Sequence, residues 1–362
     1  MKTLYKMPYE GKPVLGKVID RPNRFVVIAE VEGREVSCYL ANPGRLWELI
    51  YPGADVLLTP SSGKTDYTAL AARTFRGEVV PLHTHRANDL TAATVDAGLL
   101  PGHGGARVLR REVTVGESRF DFLLQEDGKE LYAEVKCCTL FAGRGAYFPD
   151  APSKRAVRHL RHLCAMSRRG IKTALLIPVN SAVPQWFAPD WHTDPEFARA
   201  LMECQSHVEI IPMGFQWNDD LSVSPHVKPL PVKLETVRRH MGGGGYCLVV
   251  VAAQDGFRCV LQRSADLDGE LKRWKRRGSF LPDFAEKLCG EGRLIALVPF
   301  RTSRFHDDEL RSRIDVLLDE KLTGEAGLLV GKFSQNPMRR PPFTAMILNE
   351  RFERYDENFA LE

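Results

Sequence analysis

Short apolar runs broken by turn residues fill the first 60 positions of the chain. Residues 17–19, 25–31, 35–40 and 54–58 read as strands, and Glu32-Gly33, Asn42-Pro43-Gly44 and Pro52-Gly53 punctuate them. Several short strands in so little sequence predict a small barrel, and a five-stranded OB-fold is one such closure. The period then changes. Residues 88–100 predict a helix, followed by strands at 112–115, 118–124 and 131–137. A helix over 153–169 and a buried strand at 173–179 come next. Asp194-Pro195-Glu196 combines a capping residue, a first-turn proline and a first-turn acid, so a second helix starts there. Residues 208–213 close the segment as a strand, and strands mixed with helices of this length imply an α/β layer.

Residues 225–240 carry Pro225, Pro229 and Pro231 with few large apolar residues, and read as a linker. After Gly242-Gly243-Gly244-Gly245, residues 246–253 form a buried-strand pattern. The expected class is therefore α+β and multidomain. It has a barrel over 1–82, an α/β domain over 83–225, a linker over 226–241 and a small α+β domain over 242–362.

Asp127-Gly128 marks a two-residue hairpin, because a type I′ turn needs positive φ at both central positions. With that turn Leu124 faces Leu131, Phe122 faces Ala133, and Asp121 faces Glu134. Two opposed carboxylates would lie with Cβ atoms roughly 5 Å apart. Period 2 places Lys136 beside Glu134. Opposed acids repel unless a cation sits between them, and Mg2+ (or Mn2+) suits an oxygen-only site. Lys136 would then orient or deprotonate a water, or stabilise charge on phosphorus. The simpler reading is a solvated hairpin face with a Glu–Lys pair. The apolar flanks Phe120, Phe122, Leu123, Leu124 and Val135 argue instead that the charges line a cleft.

Composition narrows the class only slightly. Hydrophobic residues at 44% and charged residues at 27% exclude a mostly disordered chain, and a net charge of +4 leaves the case for a polyanionic partner to local clusters. The eight cysteines include no CxxC pair, so reduced thiols are expected rather than a disulfide framework or a zinc site. The N-terminus lacks an apolar leader and no run reaches the length of a membrane span, which predicts a cytoplasmic protein.

The sharpest cluster follows Ser153. Ala156, Val157, Leu160, Leu163 and Cys164 recur at helical spacing, while Lys154, Arg155, Arg158, His159 and Arg161 add a basic stripe without an acid. Such a stripe is either a solvated helix face or a surface for phosphate backbones.

At these residues the chain resembles the sugar fermentation stimulation protein A family. The likeness is carried by Ser118-Arg119-Phe120-Asp121-Phe122-Leu123-Leu124, by Tyr132-Ala133-Glu134-Val135-Lys136-Cys137-Cys138-Thr139-Leu140 and by Tyr147-Phe148-Pro149-Asp150-Ala151. Arg24-Phe25, Asn42, Gly44, Pro52-Gly53 and Arg111-Glu112-Val113 extend it over about residues 12–225. The resemblance implies an OB-fold joined to a PD-(D/E)xK nuclease-like domain that acts on or binds DNA or RNA. It implies Asp121, Glu134 and Lys136 as catalytic residues, with Asp121, Glu134 and the carbonyl of Val135 as metal ligands. Arg24 and Arg45 would be the barrel's nucleic-acid contacts. The family's acid in the preceding helix falls at Ala93 here, which implies either a weakened second metal site or replacement by Asp96 one turn later, and its Pro-Asn-Thr-Gly turn reads Ala41-Asn42-Pro43-Gly44.

A second likeness covers residues 244–350, where Gly245-Tyr246-Cys247-Leu248, residues 259–265 and residues 270–277 follow the order of small GIY-YIG-like domains. The Tyr-Ile/Val-Gly core reads Val260-Leu261-Gln262, which implies a degenerate module. Asp308-Glu309-Leu310 would be its later acidic helix. Lys272, Arg273 and Lys275, with Trp274 interleaved, would hold phosphate and stack a base. Together these readings predict a Mg2+-dependent phosphodiesterase on DNA or RNA. The alternative is a non-enzymatic, sequence-nonspecific DNA-binding protein with a regulatory role in sugar metabolism. The sequence shows no helix-turn-helix signature, so sequence-specific regulation has little support from it.

Overall fold

A computed structural model of the chain describes residues 2–74, 76–253, 256–276, 293–302 and 312–313; within them, no side chain is described at 250–260, 274–276 or 293–296. After a short β1 (Tyr5–Lys6), five strands build the barrel: β2 (Val14–Asn23), β3 (Val26–Val31), β4 (Arg34–Leu40), β5 (Asp55–Pro60) and β6 (Tyr67–Arg73). The ladders run β4-β3-β2-β5-β6, and a parallel β4–β6 pairing through Tyr39↔Thr68 closes the ring, so no edge is left open. Alternation decides the inside. Val18, Val27, Ala29, Cys38, Leu40, Val56 and Leu58 point inward. Glu32-Gly33 turns with φ of 51° and 78°, the positive pair a tight hairpin needs. β6 breaks the alternation: Ala69, Leu70, Ala71 and Ala72 are all buried, because its outer face packs on the next domain. β7 (Val79–Pro81) pairs antiparallel with the end of β6.

The next domain comprises α1 (Ala87–Asp96), β8 (Arg107–Val115), β9 (Ser118–Glu126), β10 (Lys129–Val135), β11 (Leu140–Ala142), β12 (Gly145–Phe148), α2 (Lys154–Ser167), β13 (Lys172–Val179), β14 (Trp186–Pro189), α3 (Pro195–Cys204), β15 (Glu209–Gly214), β16 (Ser222–Val223) and β17 (Lys228–Pro229). Its main sheet has the order β17-β15-β13-β10-β9-β8, with β10, β13 and β15 parallel at its centre. Ala174 and Leu176 of β13 face α1 and the barrel, whereas Leu175 and Ile177 face α2 and α3. The sheet is covered on both sides, which is why β13 reads as a continuous apolar run. Ser153 caps α2 at Ala156 N and Asp194 caps α3 at Phe197 N, as their sequence signals predict.

Three expectations need correction. α1 ends at Asp96, since Gly98 takes φ of 70° and stops it, so the helix is shorter than 88–100. β8 begins five residues earlier than predicted, because Arg107, Arg110 and Arg111 belong to an exposed edge strand with no apolar pattern. Residues 225–240 are not a free linker. β17 pairs with β15, α4 (Glu235–His240) follows, and Leu230, Leu234 and Val237 are buried. Few apolar residues suffice there because each is spaced to reach the domain beneath.

A third sheet, β19-β18-β20, joins β18 (Gly245–Ala253), β19 (Gly256–Ser264) and β20 (Arg293–Arg301), with α5 (Leu267–Arg276) against it. Arg301 docks this unit: its N–H donates to His192 Nδ1 at 2.8 Å, its Nε to the His192 carbonyl at 3.1 Å, and its guanidinium pairs with Asp268 at 2.6 Å. Among the described residues, no helix is long and apolar enough to cross a membrane.

His103 ties the loop after α1 to the sheet. Its Nδ1 meets Glu126 and its Nε2 meets Glu209, each at 2.7 Å. Burial alone would lower the imidazole, but these two carboxylates raise it above its ordinary 6.5. The tie is complete below that value and is lost as pH rises through the raised one. His103→Gln should therefore cost about 1–2 kcal/mol at pH 6 and much less at pH 9, measured by denaturant unfolding. An equal cost at both pH values would show that the charge plays no part.

Candidate functional site

The hairpin of β9 and β10 forms in the expected register, with Asp127 and Gly128 at φ of 50° and 76° and Leu124↔Leu131 and Phe122↔Ala133 paired. The ladder then stops. Asp121 and Glu134 are not ladder partners; instead the Val135 N–H, without a cross-strand carbonyl, donates to Asp121 Oδ2 at 2.7 Å. Asn88 of α1 donates to the other oxygen, Oδ1, at 2.8 Å. Asp121 is thus held from the α1 side of the sheet.

Glu134 is held from the opposite side. It is 1% exposed, and His159 of α2 meets its Oε1 at 2.6 Å. Lys136 Nζ also donates to Oε1 and to the Val135 carbonyl at 3.0 Å. Glu134 Oε2 is buried with no hydrogen-bond partner. Phe120 packs its ring edge-on to His159, with centroids 5.9 Å apart, which fixes the imidazole.

The two carboxyls are driven apart. Burial and the Glu134 charge push Asp121 above the ordinary aspartate range, against the Val135 N–H, Lys136 and Asn88. Burial also pushes Glu134 upward, but the His159 bond and Lys136 outweigh it and hold that carboxyl below its usual range. The site therefore contains a glutamate that ionises more readily than usual beside an aspartate that ionises less readily than usual. Its donor atoms are carboxylate and carbonyl oxygens, the ligand type of hard cations. Among the described residues no three His, Cys, Asp or Glu side chains group as metal ligands, so any ion here would rest on two carboxylates and main chain or solvent.

The basic positions separate. Lys154, Arg155, Arg158 and Arg161 are exposed on α2, Arg161 pairing with Glu196 at 3.2 Å. His159 does not join that stripe: helical spacing turns it inward to Glu134, a correction of the surface role expected for it. Arg24 is exposed beside the Phe25 ring. Arg45 is also corrected. It lies over Trp47 with Nη1 buried, near the charges of Asp190 and Asp150, so it serves the barrel's junction with the α/β domain. Lys272 and Arg273 are exposed on α5, Arg273 paired with Glu270. The side chains of Trp274 and Lys275, and residues Arg277 and Asp308-Glu309-Leu310, lie outside the described residues.

Asp96 does not take the place of a helix acid at Asp121. It is exposed eight residues beyond Asn88, about 12 Å along the helix axis. Asn88 is the α1 contact that motif reading overlooked. Its signal was its position in the first turn of the helix preceding the hairpin.

Two family models match the chain. The SfsA N-terminal OB domain matches residues 19–81, and the sugar fermentation stimulation protein RE domain matches residues 85–220. A sugar fermentation stimulation protein homolog of Moorella thermoacetica is 40% identical over 222 residues, covering 60% of this chain and 94% of that protein. One from Methanothermobacter thermautotrophicus is 36% identical over 204 residues, covering 55% and 85%. The solved structure of Pyrococcus furiosus SfsA in complex with Ca2+ aligns with a TM-score of 0.58 at 28% identity, over 64% of this chain and all of that one. Residues 244–350, where a GIY-YIG-like order was expected, lie beyond both matched segments.

Proposed function

The chain belongs to the sugar fermentation stimulation protein family, and from its site we propose that it is a nucleic-acid-handling protein whose β9–β10 centre is a divalent-cation-dependent phosphodiesterase. The observation that carries this reading is the unpartnered, buried Glu134 Oε2 beside a raised Asp121. A buried carboxylate oxygen without a donor costs on the order of 1–3 kcal/mol, and a cation would answer it. Asp121 would ionise more readily beside that positive charge. The residues therefore fit a hard ion such as Mg2+, held by Asp121, Glu134 and the Val135 carbonyl. The Ca2+ in the Pyrococcus furiosus SfsA complex is of the same hard, oxygen-seeking kind.

When bound, such an ion supplies Lewis acidity and a more acidic water. The chain's own groups do the rest. His159 and Lys136 fix Glu134 in one rotamer, and Asn88 and the Val135 N–H fix Asp121. Lys136, its side chain 17% exposed, keeps a positive donor at the rim, where charge develops on a phosphate. Labelled DNA and RNA should be cut with Mg2+ or Mn2+ and left whole in a chelator; cutting that ignores the chelator rejects the reading.

A second reading, binding without cleavage, draws on the exposed Lys154, Arg155 and Arg158 of α2. Replacing Arg155 and Arg158 with Gln should lower the slope of log affinity against log salt by about 1.8 on duplex DNA, with all sequences affected alike. Arg161, already paired with Glu196, should add less. Titration of oligonucleotides at several salt concentrations checks this, and an unchanged slope would remove α2 from the interface.

A further inference from the structure

We propose that Arg86 and Arg111, bridged by Asp89, form a clamp for the phosphate that neighbours the one at Asp121 and Glu134; the idea rests on the nucleic-acid reading above. Arg86 lies at the start of α1 and Arg111 on the edge strand β8. They meet on one carboxylate: Arg86 Nη1 donates to Asp89 Oδ2 at 3.2 Å and Arg111 Nη2 to Oδ1 at 2.9 Å. The guanidinium of Arg111 also lies over the Phe122 ring, 5.4 Å from its centroid.

A structural tie between α1 and β8 would need a single arginine. Two converge here, so the cluster keeps one net positive charge. It also keeps donors with no acceptor, because Arg86 Nε and the nearby Tyr5 hydroxyl are buried without partners. The side chains of Arg86 and Arg111 are 36% and 46% exposed, open enough to receive a ligand. Asp89 and the Phe122 ring hold both guanidiniums in place before any ligand arrives, which reduces the ordering cost of a bidentate contact. An anion with several acceptor oxygens on a flexible chain is the complement, and a phosphodiester supplies that.

Position identifies which phosphate. Asn88, the residue before Asp89, is the one that holds Asp121 Oδ1. Arg111 is the ladder partner of Phe122, the residue after Asp121. The clamp therefore lies on the α1 side of the catalytic end of the sheet, whereas the α2 stripe lies on the other.

The test uses the full chain in a chelator, with a fluorescein-labelled 20-nucleotide single strand and its duplex titrated from low to high NaCl. The R86Q/R111Q variant should bind about tenfold more weakly at moderate salt. Its salt slope should fall by one phosphate, about 0.9 on duplex or 0.7 on single strand, since Asp89 already cancels one of the two charges. D89N should change the slope in the opposite direction, raising it by about one, which a merely structural tie would not do. Equal unfolding temperatures show that the variants remain folded. Unchanged affinity and slope in R86Q/R111Q, or a slope that falls in D89N, overturns the clamp. Because the readout needs no metal, a wild type that binds but never cleaves rejects the phosphodiesterase reading and leaves the clamp standing; a wild type that binds neither probe rejects both.

Discussion

Lys136→Met should reduce metal-dependent cleavage by a factor of about 10^2–10^4, the range seen when a single charge-stabilising donor is removed. Methionine keeps most of the volume and removes only the charge. Lys136 Nζ contacts Glu134 Oε1 and the Val135 carbonyl, so its loss acts twice. The positive donor at the rim disappears, and Glu134 keeps only His159 against the cost of burial. Its carboxyl should then rise towards protonation, which weakens the site for a cation. Titration of Ca2+ by calorimetry should therefore weaken in the same variant. Cleavage and Ca2+ affinity both at wild-type level would remove Lys136 from the mechanism.

The second large effect concerns stability at the junction of the barrel with the α/β domain. Glu48 is buried and its Oε1 has no partner. Burial, reinforced by Asp150, pushes its carboxyl from 4.5 up to about 8, against the pull of Arg21. A Cβ at Gly44 would overlap Asp150 Oδ2, so the barrel loop rests directly on that acid. Between pH 4.5 and 8 the folded chain holds a proton that the unfolded chain has released. Stability from this group is complete below 4.5 and is lost as pH rises to about 8. At 1.36 kcal/mol per pH unit the loss is on the order of 4–5 kcal/mol. Glu48→Gln, neutral throughout, should match wild type near pH 5 and exceed it by several kcal/mol near pH 8.5. Urea unfolding at both values checks this; parallel pH profiles for the two proteins would contradict it. Other groups also titrate differently in the folded chain, His83 being lowered to about 4 and Asp150 raised, so the difference between the two proteins, not either profile alone, reads Glu48.

Legibility in the sequence followed burial pattern. The barrel strands and the β9–β10 register could be read because one face of each is apolar and the Asp127-Gly128 turn admits a single pairing. β6 and β8 were harder to place for opposite reasons: β6 is buried on both faces, and β8 is an edge exposed on most of its length. The strap over 225–240 was hidden by its prolines, since Leu230, Leu234 and Val237 show no period until the surface beneath them is known.

Within the site, Asp121, Glu134 and Lys136 came from spacing, but what holds them did not. Asn88 lies 33 positions from Asp121 and His159 25 from Glu134, separations that no local pattern records. His159 was grouped with its arginine neighbours because a helix places residues one apart on different faces, and composition alone cannot reveal which. Arg45 was misread for a related reason: a loop arginine carries no sign of whether it faces water or the carboxylates of another domain.

The proposed chemistry requires Asp121 and Glu134 to act together on one cation. Purified wild type and Asp121→Asn should be incubated side by side with labelled single- and double-stranded DNA and RNA, in Mg2+ and in chelator. Asparagine keeps the shape, but with oxygen at the Val135 N–H its amide meets that of Asn88, so the substitution removes charge and acceptor together. Cleavage by wild type in Mg2+ alone, at least about a thousandfold slower in Asp121→Asn, is the predicted result. Equal cleavage by both proteins, or cleavage undiminished by the chelator, would contradict it.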